Sequence, residues 1–257
     1  MKLIDWIAVL GALAWLPHLI RFGIQFFSRS KLRIITGMAP ELGFTTFGPI
    51  LNMRLAFVVD HKDLVISGMK ILVQHESGPE HEFIWQGLTQ TLGTLSNPQM
   101  GNMPFQKESN VLALKAKVAD VDERFVRFQS VEFLAGKEPI EAEASSRIMY
   151  QQRQGKEIDI EAFLRSDEMT DLYAYIKRAF QWKQGNYSLR FEVDSPQSFQ
   201  IVGDVYEFSL TQVDVEELEK NTVQVEREYR ERFIPKKEEE PALVWMWRYP
   251  RLQKKET

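Results

Sequence analysis

Residues 48–85, GPILNMRLAFVVDHKDLVISGMKILVQHESGPEHEFIW, decide the fold class of this chain. Apolar residues recur at every second position from Met53 to Val59, which is the period of a strand with one buried face. The polar residues 60–63 predict a turn, and residues 64–74 are predicted as the return strand. Ser77, Gly78 and Pro79 predict a second turn before a third strand. Three strands joined by short polar turns indicate an antiparallel meander.

Further strands are predicted at residues 111–118, 124–134, 187–193 and 204–210, whereas residues 93–106 lack periodicity and are predicted as a loop. The stretch WKQGNYSL, residues 182–189, resembles the penultimate strand of immunoglobulin-like sandwiches, in which an aromatic residue, a turn Gly and Tyr-x-Leu recur. About seven short strands favour a sandwich over a doubly wound fold. The predicted fold class is therefore mainly β: an immunoglobulin-like antiparallel β-sandwich, residues 31–212, with a helical insert at about 157–182.

A flanking amphipathic helix is predicted at residues 213–234. Thr211, followed three positions later by Asp214, predicts a capping box at its start. The apolar residues of this helix have heptad-like spacing over about two repeats and include Val215, Leu218, Val225 and Tyr229. The helix is interpreted as lying on its own domain, or alternatively as a face through which the chain forms a homo-oligomer.

The first 30 residues are predicted as a hydrophobic membrane anchor with a basic collar. Residues 3–20 are almost entirely apolar on every side of a helix, and at 1.5 Å per residue they would span about 27 Å. A cleaved signal peptide and a buried core helix are the alternatives. The residues expected to contact the membrane from this end are Trp6, Trp15, Arg21, Arg29, Lys31 and Arg33.

Charge is divided unevenly along the chain. Residues 1–35 carry a net charge of +4 and residues 236–257 carry +2, whereas the body between them carries −10. Basic residues after the apolar segment favour a cytoplasmic location for the body at the cell membrane, with the segment single-pass or monotopic. An acidic body without a basic stripe argues against nucleic acid as a partner.

The C-terminal residues 235–257 are predicted as a charged linker followed by an aromatic and basic tail. Trp and Tyr favour the membrane interface, and neighbouring cations favour an anionic leaflet. The expected membrane-contacting residues are Trp245, Trp247, Arg248, Tyr249 and Arg251. Packing of this tail on its own domain and docking to another protein are the alternatives.

No reaction is evident in the sequence. The chain has no cysteine, and it contains no nucleophile elbow, phosphate loop or dinucleotide fingerprint. His75 and His81, with carboxylates near a turn, are the candidate metal ligands, although their spacing matches no established zinc motif. We therefore expect no catalytic residue, no cofactor and no resident metal.

The predicted function is that of a membrane-anchored, non-enzymatic interaction module: a scaffold, adaptor or sensor whose partners are the lipid bilayer and another protein. This step is an analogy from the predicted fold. An extracytoplasmic ligand-binding protein held by an uncleaved signal-anchor and a subunit of a membrane complex are the alternatives. A carboxylate- or metal-assisted hydrolase is a further interpretation.

Overall fold

The computed structural model describes residues 15–18, 23, 29–97, 101–109, 112–155, 159–203, 205–234 and 241–255. Thirteen strands lie within these residues: β1 Ser30–Thr36, β2 Glu41–Thr45, β3 Gly48–Asp60, β4 Leu64–Ile66, β5 Gly68–His75, β6 Glu80–Asn97, β7 Gly101–Ser109, β8 Leu114–Ala116, β9 Val121–Ser130, β10 Gly185–Asp194, β11 Phe199–Val202, β12 Tyr206–Leu210 and β13 Gln253–Lys254. The fold is mainly β, as predicted.

Eleven of these strands form one curled sheet with the order β11-β1-β3-β9-β6-β5-β10-β12-β13, in which β2 also pairs with β3 and β7 with β6. β1 and β11 are parallel, and the other strand pairs described are antiparallel. β4 and β8 form a small second sheet. The predicted immunoglobulin-like arrangement of two stacked sheets is not confirmed, because nearly all strands belong to a single curled sheet.

The concave face of the sheet encloses the main core. The alternating residues Met53, Leu55, Phe57 and Val59 are all buried there, which confirms the predicted inward face of β3. On β10, Tyr187 and Leu189 are buried in the same core, while Phe191 and Val193 pack partly against it. The strand period of two therefore sets which side chains fill the interior.

The helices are inserted mainly between β9 and β10. They are α1 Val131–Arg153, α2 Ile160–Leu164 and α3 Asp167–Arg178, followed after β12 by α4 Gln212–Glu219, a 3-10 turn Lys220–Val223 and α5 Gln224–Phe233. Ser166 caps α3 by accepting a hydrogen bond from the Met169 backbone N–H. The capping box predicted at Thr211 and Asp214 is confirmed, with both reciprocal bonds present. A second core cluster joins α1, α2, α3 and α5 around Phe44 of β2.

The C-terminal segment, residues 241–255, connects two parts of the sheet. Arg248 forms a backbone bridge with Leu42 of β2, and the Leu252 N–H donates to the Met38 carbonyl. Farther along, β13 pairs with β12. The segment thus crosses from one side of the curled sheet to the other.

The predicted meander is right in its second pairing and wrong in its first, since β5 pairs antiparallel with β6 across the turn at residues 77–79 as predicted. After the turn at residues 61–63 the chain does not return along β3: β4 leaves to pair with β8, and β5 pairs with β6 and β10. The neighbours of β3 are β1, β2 and β9. Alternation reports which face of a strand is buried, but it contains no information on the neighbouring strand.

Two other predictions are corrected. Within the predicted loop over residues 93–106, residues 93–97 belong to β6 and residues 101–106 to β7, and these two strands pair with a register shift between Thr91 and Gly93. The strand predicted over residues 124–134 ends at Ser130, whose hydroxyl accepts a hydrogen bond from the Phe133 N–H at the start of α1. The polar composition of α1 gave no strong apolar stripe, so this long helix was missed.

Most of the predicted membrane anchor, residues 3–20, lies outside the described residues. Within the described part of the chain, no helix has both the length and the apolar character needed to cross a membrane. The anchor therefore stays a prediction.

Candidate functional site

A polar groove of about 700 Å³ crosses the outer face of β5, β10 and β12, and the C-terminal segment forms one of its walls. We call it the outer groove. It is lined by Gln74, His75, Glu76, Asn186, Tyr187, Ser188, Glu207, Phe208, Ser209, Arg251, Gln253 and Lys255.

Side chains alternate between the two faces of each strand, and this alternation puts the polar residues of the lining on the outer face. On β10, Tyr187 points to the core, so its neighbours Asn186 and Ser188 lie on the opposite face. On β12, Phe208 is buried, and Glu207 and Ser209 are therefore directed outward. Two adjacent strands in register thus bring their polar residues together.

The floor of the groove is a hydrogen-bonded chain of three side chains. The Ser209 hydroxyl donates to Asn186 Oδ1 at 2.6 Å, and Asn186 Nδ2 donates to Glu76 Oε2 at 2.8 Å. The Glu76 N–H also donates to the Asn186 carbonyl. Among the described residues, no Lys, Arg or His forms an ion pair with Glu76.

Aromatic rings support this floor from beneath. The His75 ring lies 4.7 Å from that of Tyr187, which stacks on Phe208 at 4.9 Å. Gly185 has a φ of +131°, and a Cβ there would lie 2.5 Å from Glu76 Oε1 and 2.7 Å from His75 Nε2. Glycine is therefore required at this position both for the backbone conformation and for the close approach. Burial raises the pKa of Tyr187 above its ordinary value.

The wall contributed by the C-terminal segment carries two cations. Lys255 pairs with Glu207 at 2.7 Å. Arg251 is exposed and forms no ion pair with the described residues. The outer groove therefore presents one carboxylate, Glu76, and one guanidinium, Arg251, that form no ion pair with the described residues.

A serine and a histidine meet beside the groove, but the geometry does not supply acyl-transfer chemistry. The Ser77 hydroxyl lies 3.0 Å from His75 Nδ1, and His75 Nε2 lies 3.0 Å from the Gln184 carbonyl. The Ser77 N–H is directed to His75 Nδ1, and the Gly78 N–H donates to the His75 carbonyl. These nearest backbone donors are occupied, so they cannot stabilise an oxyanion. The arrangement instead holds the turn between β5 and β6.

The two histidines predicted as metal ligands line one small pocket beside the hairpin, but they are not directly opposite each other on the two strands. His81 is opposite Val73 in the register and lies 3.9 Å from Glu132. Both ring nitrogens of His75 already have hydrogen-bond partners. No group of three or more potential metal ligands occurs in the residues that the structure describes.

The tail residues predicted to contact membrane are engaged with protein to different degrees. Trp247 lies directly on Gly43 of β2, where a Cβ would come within 2.3 Å of the indole ring. Arg248 pairs with Asp214 at 3.3 Å and with Glu217 at 3.4 Å. Trp245 is half-buried, whereas Tyr249 is exposed. Membrane contact by Trp247 or Arg248 would require these contacts to break.

At the other end of the chain, the residues predicted as membrane contacts are only partly described. Trp15 is exposed, as is Arg29. Lys31 and Arg33 lie on β1, where they alternate with buried residues and point outward. Trp6 and Arg21 lie outside the described residues.

The predicted oligomerisation seam is packed inside the domain. Leu218, Val225 and Tyr229 are buried, and Val215 packs partly against the main core. Self-association through these side chains would require them to leave this packing. Burial also raises the pKa of Tyr229, and its hydroxyl donates to Glu141 at 3.1 Å.

Sequence analysis missed the groove as a site, although it identified single members. His75 was one of the candidate metal ligands, and Arg251 belonged to the predicted tail. Only the pairing of β10 with both β5 and β12 brings these segments together. Comparison of the chain with protein-family models, with curated proteins and with solved structures gave no match.

Proposed function

We propose that this chain is a non-enzymatic interaction module, held at a membrane by its N-terminal apolar segment, which binds a polar segment of a partner protein in the outer groove. The observation that carries the proposal is the groove itself, about 700 Å³, in which Glu76, at one end of the hydrogen-bonded floor, and Arg251, on the wall, form no ion pair with the described residues. Concave sites with a few placed polar groups are typical of ligand recognition.

The chemistry of the groove favours a partner that carries both signs of charge. A basic side chain of the partner can pair with Glu76, and an acidic one with Arg251. The polar lining is a poor match for an apolar small molecule, because its hydrogen-bonding groups would lose water without replacement. A scaffold, adaptor or sensor role is consistent with this recognition and requires no cofactor.

Attachment to a membrane rests on the sequence. Residues 3–20 are apolar, and the basic residues after them favour a cytoplasmic body. If the body were outside the cell, the same groove would make the chain an extracytoplasmic ligand-binding protein. If the apolar segment packed on other helices, the chain would be a subunit of a membrane complex.

Site-specific photo-crosslinking in living cells tests the groove. A photoreactive residue replaces Gln74, an exposed residue of the groove lining outside the hydrogen-bonded floor, in the full chain, and a control replaces the exposed Glu138 on α1. We expect a discrete crosslinked product from position 74 that is lost on Arg251→Glu. The matched charge reversal Arg165→Glu, on an exposed side chain at the end of α2, should leave the product unchanged. Equal products from both positions, or insensitivity to Arg251→Glu, would refute recognition through the groove.

A further inference from the structure

A pocket separate from the outer groove lies where α1 begins and α3 ends. We call it the aromatic pocket. It has a volume of about 290 Å³, and Phe133, Tyr175 and Phe180 are among the residues that line it. Phe133 is buried, whereas Tyr175 and Phe180 are half-buried, so part of each of these two side chains is accessible. The pocket therefore presents aromatic surface in a concave site.

Contacts between α1 and α3 hold the walls of the aromatic pocket. The Tyr175 hydroxyl donates to the Phe133 carbonyl at 3.0 Å, and the two rings stack with their centres 5.6 Å apart. A Cβ at Gly136 would clash with the Tyr175 hydroxyl, so glycine permits this close approach of α3 to α1. Phe180 packs edge-on against Phe44 of β2 at 5.3 Å. The fold therefore sets the shape of the pocket before a partner binds.

The rim of the aromatic pocket is polar and carries both signs of charge. Arg178 is exposed, its Nε donates to the Ala174 carbonyl, and it forms no ion pair with the described residues. The Glu132 side chain is 89% exposed and lies 3.9 Å from His81. An aromatic interior under a polar rim is typical of pockets that receive an aromatic anchor of a partner protein.

The aromatic pocket is a neighbour of the outer groove. Gln181 lines the pocket and Asn186 lies in the floor of the groove. The chain between these two residues reaches at most about 18 Å. The small pocket beside the hairpin shares Gln181 with the aromatic pocket and Tyr187 with the groove. The Tyr187 hydroxyl donates to the Lys183 carbonyl and accepts from the Lys183 N–H, so the connecting stretch and the spacing of the two sites are fixed.

We propose that the aromatic pocket receives one Trp, Tyr or Phe side chain of the same partner segment that occupies the outer groove. The inference rests on the proposed function and adds an aromatic anchor to the partner, about five residues from the charged residues that face Glu76 and Arg251, because an extended segment advances about 3.3 Å per residue. A volume of about 290 Å³ lies at the lower limit for drug-sized ligands, which favours a single side chain as the occupant. An aromatic ring contributes a large contact area at a low cost in conformational entropy.

Photo-crosslinking from the rim of the aromatic pocket tests the inference in cells that contain the full chain. An aliphatic diazirine residue replaces the exposed Glu132, in parallel with Gln74 in the groove and with Glu138 as the control position. We expect products of the same mass from positions 132 and 74, and no such product from position 138. Mass spectrometry of the product from position 132 should identify a partner peptide that contains Trp, Tyr or Phe.

Substitutions in the pocket provide the second readout. Ala179→Leu adds volume at a residue that lines the pocket, and Phe180→Leu removes an aromatic face but keeps an apolar side chain. Each should lower the yield from position 74 about tenfold, as expected when one anchoring side chain is lost. Ala142→Leu, on the exposed side of α1, is the matched control and should leave the yield unchanged. Replacing the identified aromatic residue of the partner by Ala gives the same test without altering the fold of this chain.

The two crosslinking positions separate failure of the inference from failure of the proposed function. If position 74 gives its Arg251-dependent product and position 132 gives none, or one of different mass, the inference is refuted and the proposed function stands. Equal yields from position 74 after the Ala179, Phe180 and Ala142 substitutions would refute the inference in the same way. If position 74 gives no product, the proposed function fails and the inference fails with it.

Discussion

The packing of the C-terminal segment depends on one buried side chain, Asn221. Asn221 is fully buried in the 3-10 turn between α4 and α5. Its Nδ2 donates to the Met246 carbonyl at 2.8 Å, and its Oδ1 accepts from the Met246 N–H at 2.7 Å. One asparagine therefore satisfies both backbone groups of a residue 25 positions away. We predict that Asn221→Ala releases this segment.

The expected loss in the free energy of unfolding is about 2 kcal/mol, from two hydrogen bonds at about 1 kcal/mol each. Met246 is 37% exposed, so its freed backbone groups can be hydrated and the cost should stay near this value. Trp245 and Trp247 lie in the same segment, and their fluorescence reports on its release. Urea titration in one detergent, together with limited proteolysis within residues 241–255, measures both effects.

The matched control is Val223→Ala. Val223 lies in the same turn, is 71% exposed and has no part in holding Met246, so its truncation should change stability by less than about 0.5 kcal/mol. Equal stability and equal protease resistance of the Asn221 and Val223 variants would refute the reasoning that this hydrogen-bond pair holds the segment.

Three further predictions concern Gly43, Gly185 and Asp214. Gly43→Ala should displace the Trp247 indole, because the new Cβ would lie 2.3 Å from the ring. The expected loss of stability, measured by urea titration, is about 1–3 kcal/mol. Unchanged stability and unchanged Trp fluorescence would contradict this contact. Gly185→Ala should lower the melting temperature and abolish crosslinking from the groove, since a side chain at a φ of +131° strains the backbone. An unchanged melting temperature with unchanged crosslinking would contradict the need for glycine at this position. Burial alone would raise the pKa of Asp214, but hydrogen bonds from Thr211 and the charge of Arg248 lower it overall. A carboxyl whose folded pKa is depressed stabilises above its unfolded pKa of about 4, so this contribution should disappear as the pH falls below that value. Asp214→Asn should reduce the fall in the free energy of unfolding at acid pH, measured by urea titration at several pH values. An unchanged fall would contradict the role assigned to Asp214.

The sequence predicted inward faces well and pairing poorly. The alternation around Phe57 identified buried positions correctly, because a strand that faces a core on one side must repeat every second residue. The same alternation would occur whichever strand lay alongside. It therefore could not predict that β4 pairs with β8 instead of returning along β3. The helix α1 was missed because its composition is polar, and its start depends on a local cap at Ser130.

The candidate site was less accessible to prediction than the fold. Glu76, Asn186 and Arg251 lie far apart in the sequence, and no motif connects them. They meet because β10 is flanked by β5 and β12 and because the C-terminal segment returns to pair with β12. The aromatic residues of the tail had the composition of a membrane-interface segment, and composition does not distinguish lipid from the glycine surface on which Trp247 lies.

The most direct test of the central claim, that the folded domain is held at a membrane on its cytoplasmic side, is protease protection on sealed membrane vesicles. The measurement uses the full chain with a tag after its last residue, and alkaline extraction is carried out on the same vesicles. The account predicts that the chain resists extraction and that the tag is digested only when the cytoplasmic face is accessible. A chain that is extracted freely, or a tag that is digested only from the opposite face, would contradict it.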